Sequence, residues 1–180
     1  CQVAVVTNVG EGDHLGLNFI TTKEDVAVLK RVIVQNVAQD GYAVLNAADP
    51  HVAAMASACP GKVIFFAADR HHPVMATHRA QGSRVVYVDG DAIVAAEGSW
   101  RESIALRDIP LTRNGTITFQ VENVMASIGA AWAAGSAMSQ FASVAGVYGL
   151  GLVTLAAVSA LGPLVGGGPR RARLIAAGLG

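Results

Sequence analysis

At 180 residues, 52% hydrophobic and 14% charged, the chain carries enough apolar mass to bury a full core as one domain, alone or with an appendage, and disorder over most of its length is excluded. Thirteen Lys and Arg balance thirteen Asp and Glu, so no net field points to a nucleic acid or another polyanion as partner. Two cysteines, Cys1 and Cys59, are too few for a disulfide framework and lack a zinc or CxxC spacing, which suits a reducing cytoplasm.

The chain opens on Cys1 without a methionine and enters a strand at once, which reads as a cut through a larger protein; no signal peptide precedes it. Val3 to Val6 is a short apolar run, and it leads directly into Thr7-Asn8-Val9-Gly10-Glu11-Gly12-Asp13-His14-Leu15-Gly16. A buried strand that ends in polar and glycine residues delivers bare amides and side chains to the carboxyl edge of a sheet, where α/β proteins bind ligands. Asp13 and His14 place an acid beside an imidazole there; a βα turn with a helix-capping Asp accounts for the same local pattern. Thr22 to Val37 reads as a helix with Val26, Leu29, Ile33 and Val37 on one face, capped by Thr22, with Glu24 and Asp25 in the first turn and Asp40-Gly41 beyond its end.

Tyr42 to Leu45 is a second strand, His51 to Ala58 a short helix, Val63 to Phe66 a third strand, Pro73 to Gln81 a helix and Val85 to Val88 a fourth strand. Asp89-Gly90 then marks a hairpin, and Trp100 to Leu106 adds a further antiparallel strand. Asn123 to Ala134 returns to helix, ending at Gly135. The predicted fold class is α/β: a mostly parallel sheet flanked by helices, a small antiparallel subsheet, and an apolar helical or irregular C-terminal tail.

Residues 136–180 form that tail. No charged residue lies between Glu122 and Arg170, and Phe141 to Val165 is long enough to cross a bilayer, with Arg170, Arg171 and Arg173 after it. A shifted reading frame in GC-rich DNA yields the same Ala, Gly and Val-rich composition without amphipathic period. An artefactual or buried tail ranks above a true membrane span.

The opening block, together with Glu24 to Val32, Asp40 to Pro50 and Phe119 to Ala126 in that order, resembles the central domain of the Mur ligase superfamily, and within it the cyanophycin synthetase branch. The resemblance covers residues 3 to 135, so the predicted organisation is an ATP-binding domain over 1–135, incomplete at its N-terminus, followed by the tail. It implies an ATP-dependent amide ligase that activates a carboxylate as an acyl-phosphate and joins arginine to an aspartate polymer. ATP and Mg2+ are the implied cofactors, small-molecule nucleotide and amino acid the implied partners, and a homo-oligomer the implied state of the complete enzyme.

Carried over residue by residue, the resemblance gives Asp13, His14 and Lys30 catalytic roles. His14 stands at the family's magnesium site, and Lys30 at the position of a lysine that is carbamylated in many members. Asn8, Asn46, Asp49 and Asn123 become nucleotide-binding residues, Asn8 toward phosphate or acyl oxygen and Asn123 beside the adenine. For Lys30 a solvated helix lysine is the plainer reading. His71, His72 and His78 read as surface residues rather than a metal set, and Trp100 and Trp132 as packing.

The chain departs from the family pattern at Ala48, where an acid is common, and at Gln120, where His or Asn is common. No G-x-x-x-x-G-K-[ST] loop occurs in its 180 residues. Without that phosphate cradle the chain is expected to be inactive alone. A non-catalytic nucleotide- or phosphate-binding module, or a protein anchored in a membrane by its tail, are the alternatives.

Overall fold

Four apolar runs separated by amphipathic segments must stack as parallel strands with helical crossovers, and a computed structural model of the chain, which describes residues 1–10 and 20–134, has that architecture. These residues fall within the unit Cys1–Gly135. Strands β1 (Val3–Val6), β2 (Tyr42–Asn46), β3 (Lys62–Asp69), β4 (Val85–Asp89), β5 (Ala92–Glu97) and β6 (Trp100–Ala105) form one sheet in the order β1-β2-β3-β4-β5-β6. The first four are parallel, with Val5 opposite Val44 and Leu45 opposite Phe65, and the last two are added antiparallel by hairpins. A mostly parallel sheet with an antiparallel flank is what the sequence pattern predicts.

Helices α1 (Lys23–Gln35), α2 (Pro50–Ala54) and α3 (Pro73–Ala80) are the three crossovers. When sequential parallel strands are neighbours, right-handed crossovers put every helix on the same face. Accordingly Val26, Val34, Val52 and Met75 share one core with Ala43, Leu45, Phe65, Val85 and Tyr87. The alternate residues Val44, Ile64, Phe66, Val86 and Ile93 point the other way, where α4 (Thr118–Ala134) covers them with Val121, Met125 and Ala126. Each fully buried Val, Leu, Ile, Phe or Met among them contributes about 1.5–3 kcal/mol. Arg84 closes the far end of α4: its guanidinium lies 4.9 Å from the Tyr42 ring centre and 4.6 Å from that of Trp132, donates to Trp132 O at 3.3 Å and pairs with Glu97 at 3.0 Å. Trp100 packs on Trp132 with ring centres 4.9 Å apart, the packing role their sequence context suggests.

At the amino edge the strands approach backbone on backbone. A Cβ on Gly41 would stand 2.6 Å from Gln2 O, and one on Gly61 would collide with Gly41 O and Ala38 O.

Two elements differ from the sequence reading. Helix α1 is capped as expected: Thr22 Oγ1 accepts the Asp25 N–H at 3.1 Å, and Asp25 Oδ2 accepts the Thr21 and Thr22 N–H groups at 3.0 Å each, which holds the Asp25 carboxyl below its usual range. Its inward stripe, however, is Val26, Lys30, Val34 and then Val37, whereas Leu29 and Ile33 are 47% and 50% exposed. A count of apolar residues passes over this stripe because its centre is a lysine. Helix α4 begins five residues before the expected Asn123; Phe119 in its first turn is 61% exposed, so no burial pattern marks that start. The segment 141–165 lies outside the described residues, among which no helix is long and apolar enough to cross a membrane.

His78 is half-buried rather than on the surface. Its ring meets Phe65 edge-on at 4.9 Å between centres, Nε2 lies 3.0 Å from Val63 O, and burial, outweighing that hydrogen bond, pushes the imidazole below its ordinary 6.5.

Two outcomes test this packing. Gly129 packs on β2, and an added Cβ would lie 2.7 Å from Val44 Cγ1. Gly129→Ala, worth about 1 kcal/mol of helix propensity at an open site, is therefore expected to lower stability in urea unfolding by about 1–2 kcal/mol net. His78, whose folded pKa lies under its unfolded value, should make stability rise with pH up to 6.5 and stay level above; unfolding midpoints of His78→Gln across that window should lose this slope.

Candidate functional site

The carboxyl ends of β1 and β2 lie side by side, and the segments that leave them are tied together by side chains. Helix α2 starts immediately after β2, so its first N–H groups need an acceptor; Asp49 Oδ1 accepts those of His51 at 2.9 Å and Val52 at 3.2 Å, with Pro50 setting the first turn. The other oxygen, Oδ2, accepts the Val9 N–H at 2.7 Å from the segment after β1. Asn46, buried at the last position of β2, donates from Nδ2 to Thr7 O at 3.0 Å and accepts the Ala48 N–H at 2.9 Å. From α1, Lys30 reaches back and donates from Nζ to Asn8 O at 3.0 Å.

Four of the residues singled out from the sequence, Asn8, Lys30, Asn46 and Asp49, thus meet at one edge of the sheet. They differ in what they offer. Asn46 and both oxygens of Asp49 are engaged within the protein, which makes them positioning residues for the two segments. Exposed Asn8 and the Lys30 ammonium stand at the mouth, a donor set that suits a phosphate or acyl oxygen. Asn123 stands on the opposite layer, exposed near the start of α4, with Nδ2 donating to Gln120 Oε1 at 3.2 Å; among the described residues no hydrogen bond joins it to the other four. Asp13 and His14 lie outside the described residues.

On the α4 side, at the carboxyl ends of β3 and β4, a cavity of about 410 Å³ is walled by Ala68, Val88, Gly90, Leu106, Val121 and Glu122, next to Asn123 in sequence. Asp91, Asn114, Gly115 and Thr118 complete its lining. No group of three His, Cys, Asp or Glu among the described residues is arranged to hold an ion, and His71, His72 and His78 do not converge on one.

Sequence reading missed a second concavity altogether, formed by Arg70, Arg79, Tyr87 and Arg101. The four belong to separate elements, and no local spacing links them.

The Asp49 arrangement predicts an asymmetric mutational result. Asp49→Ala removes the cap of α2 and leaves the Val9 N–H without its acceptor, an expected loss of about 2–4 kcal/mol in urea unfolding. Asp49→Asn keeps one acceptor oxygen and should lose about half as much.

Residues 1–131 match the Mur ligase middle domain family. The cyanophycin synthetase of Geminocystis herdmanii is 42% identical over 137 residues, which cover 75% of this chain and 15% of that protein. Those of Synechocystis and Crocosphaera subtropica are 43% and 39% identical over 139 and 137 residues, each covering 75% of this chain and 16% of the relative. The chain therefore spans about 15% of the length of these curated relatives. The chain belongs to the Mur ligase family, through that family's middle domain.

Proposed function

We propose that this chain is the nucleotide-side part of an ATP-dependent carbon–nitrogen ligase that activates a carboxylate of an aspartate polymer as an acyl-phosphate, for attack by arginine. The reading is supported by one observation above all: within a Mur ligase middle domain, Asn8, Lys30, Asn46 and Asp49 gather at the carboxyl edge of β1 and β2, where α/β sheets bind ligands. ATP supplies the phosphoryl group. Asn46 and Asp49 keep the segments after β1 and β2 in register, so that Asn8 and Lys30 stand at fixed positions before the reacting oxygens. The Lys30 ammonium, held on Asn8 O, places a positive charge where negative charge accumulates during transfer. The cavity walled by Val121 and Glu122, which precede Asn123 on α4, takes the adenine. By resemblance, Asp13 and His14 complete the site.

No G-x-x-x-x-G-K-[ST] loop is present in the 180 residues, so the chain by itself is inactive in this reading. That same feature favours a second reading, a module that binds nucleotide or phosphate without turnover.

A segment exchange separates the two. Residues 1–131, replacing the matching segment of the Synechocystis cyanophycin synthetase, should restore ATP consumption that depends on both arginine and the aspartate polymer, and His14→Ala should lower it by about 10²-fold or more. A folded chimaera that binds ATP but consumes none under any substrate combination would leave the binding module standing and remove the ligase.

A further inference from the structure

Helix α3 is the last crossover on its face of the sheet. Hairpins join β4 to β5 and β5 to β6 and need no helix, so the outward side of the antiparallel strands has no helical cover beyond α3. A cavity of about 390 Å³ opens there, lined by Arg70 after β3, Arg79 of α3, Tyr87 of β4, and Trp100 and Arg101 at the start of β6. It shares no residue with the edge held by Asn46 and Asp49.

Two of its guanidiniums converge on one oxyanion. Arg70 Nη1 donates to Asp89 Oδ1 at 2.7 Å and Arg101 Nη2 donates to Asp89 Oδ2, so each carboxylate oxygen has its own arginine. The hydrogen bond from Arg101, together with the charge of both arginines, holds the Asp89 carboxyl below its usual range and keeps it ionised. Arg79 and Arg101 both lie over the Tyr87 ring, 5.7 and 5.8 Å from its centre. Arg79 is exposed and has no acidic partner among the described residues, and no acid is among the residues that line the cavity.

In a chain whose total charge is zero, three arginines here face one carboxylate, which leaves a surplus of two positive charges. Cation–π contact with Tyr87 offsets part of their repulsion but neutralises nothing. A carboxylate ligand would cancel half of that surplus. A phosphate group with two charges cancels all of it, and its tetrahedral oxygens can accept from arginines that approach from different sides. The donors left for it are the fork of Arg79, the Arg101 N–H groups that Asp89 does not use, and the Ser99 hydroxyl in the turn before β6. The cavity is of a size that takes a small organic ligand, and Tyr87 and Trp100 give it aromatic walls.

We propose that this groove binds a doubly charged phosphate group, free or as the monoester of a small organic molecule, between Arg79 and Arg101. The proposal goes beyond the ligase reading and rests on no part of it.

The test is isothermal titration calorimetry of the full 180-residue chain with inorganic phosphate and with phenyl phosphate. It is run at pH 8, where a phosphate ester, with its second pKa of about 6, is doubly charged. Saturable binding is expected, weakened by salt and lowered about tenfold by Arg79→Gln. Arg79→Glu should abolish it, whereas Arg107→Gln, outside the groove, should leave it unchanged. Far-ultraviolet circular dichroism checks that the variants fold. Phenyl phosphate binding about threefold or more tighter than inorganic phosphate marks an ester as the ligand, and equal affinities mark free phosphate; both uphold the site. The absence of saturable binding overturns the proposal. So does binding by both Arg79 variants as by the parent, which moves the phosphate to the edge at Asn8 and Lys30, and so does displacement of phenyl phosphate by an equal concentration of acetate.

Discussion

One carboxylate fixes the geometry of the edge that matters. Asp49 satisfies two N–H groups at the start of α2 and one from the segment after β1, so a single side chain joins two neighbouring strands at their carboxyl ends. Charge-assisted bonds of this kind are roughly twice as strong as neutral ones, and three on one group leave it no freedom to turn outward. Lys30 adds a constraint from above, because its bond to Asn8 O joins the middle of α1 to the same segment. The mouth of the site is thus a surface whose shape is set from inside.

Topology explains why the chain has two different faces. Sequential parallel strands force three helices to one side, and the remaining side is left for one long helix, α4, which lies across five strands. The switch to hairpins after β4 ends the supply of crossover helices. Polar and charged residues can then occupy the outward side of β4 and β6, and Tyr87, Asp89 and Arg101 do so. The groove and the carboxyl edge of β1 and β2 are both consequences of where connections are helical and where they are not.

What could be read from the residues alone was local. Val3–Val6 stands as a strand because four apolar residues meet a polar run, and α1 is capped by Thr22 and Asp25 because that pairing needs only three residues of spacing. The convergence of Asn8, Asn46, Asp49 and Lys30 was legible only through the order of blocks shared with Mur ligases, since hydrogen bonds across 22 to 40 residues leave no periodic trace. That Asn46 and Asp49 turn inward could not be read at all. It depends on which backbone groups the second strand end presents. The arginine groove was hidden for the same reason, and the balanced total charge concealed it further.

Gly41 and Gly61 give the opposite edge a different character. With main-chain oxygens occupying the space a side chain would need, those two positions admit no substitution without parting the strands. Tolerance to change in this domain is therefore polarised: a side chain just before β2 or β3 meets main-chain oxygens, whereas the far rim, where the loops leave the sheet, is free of that restriction.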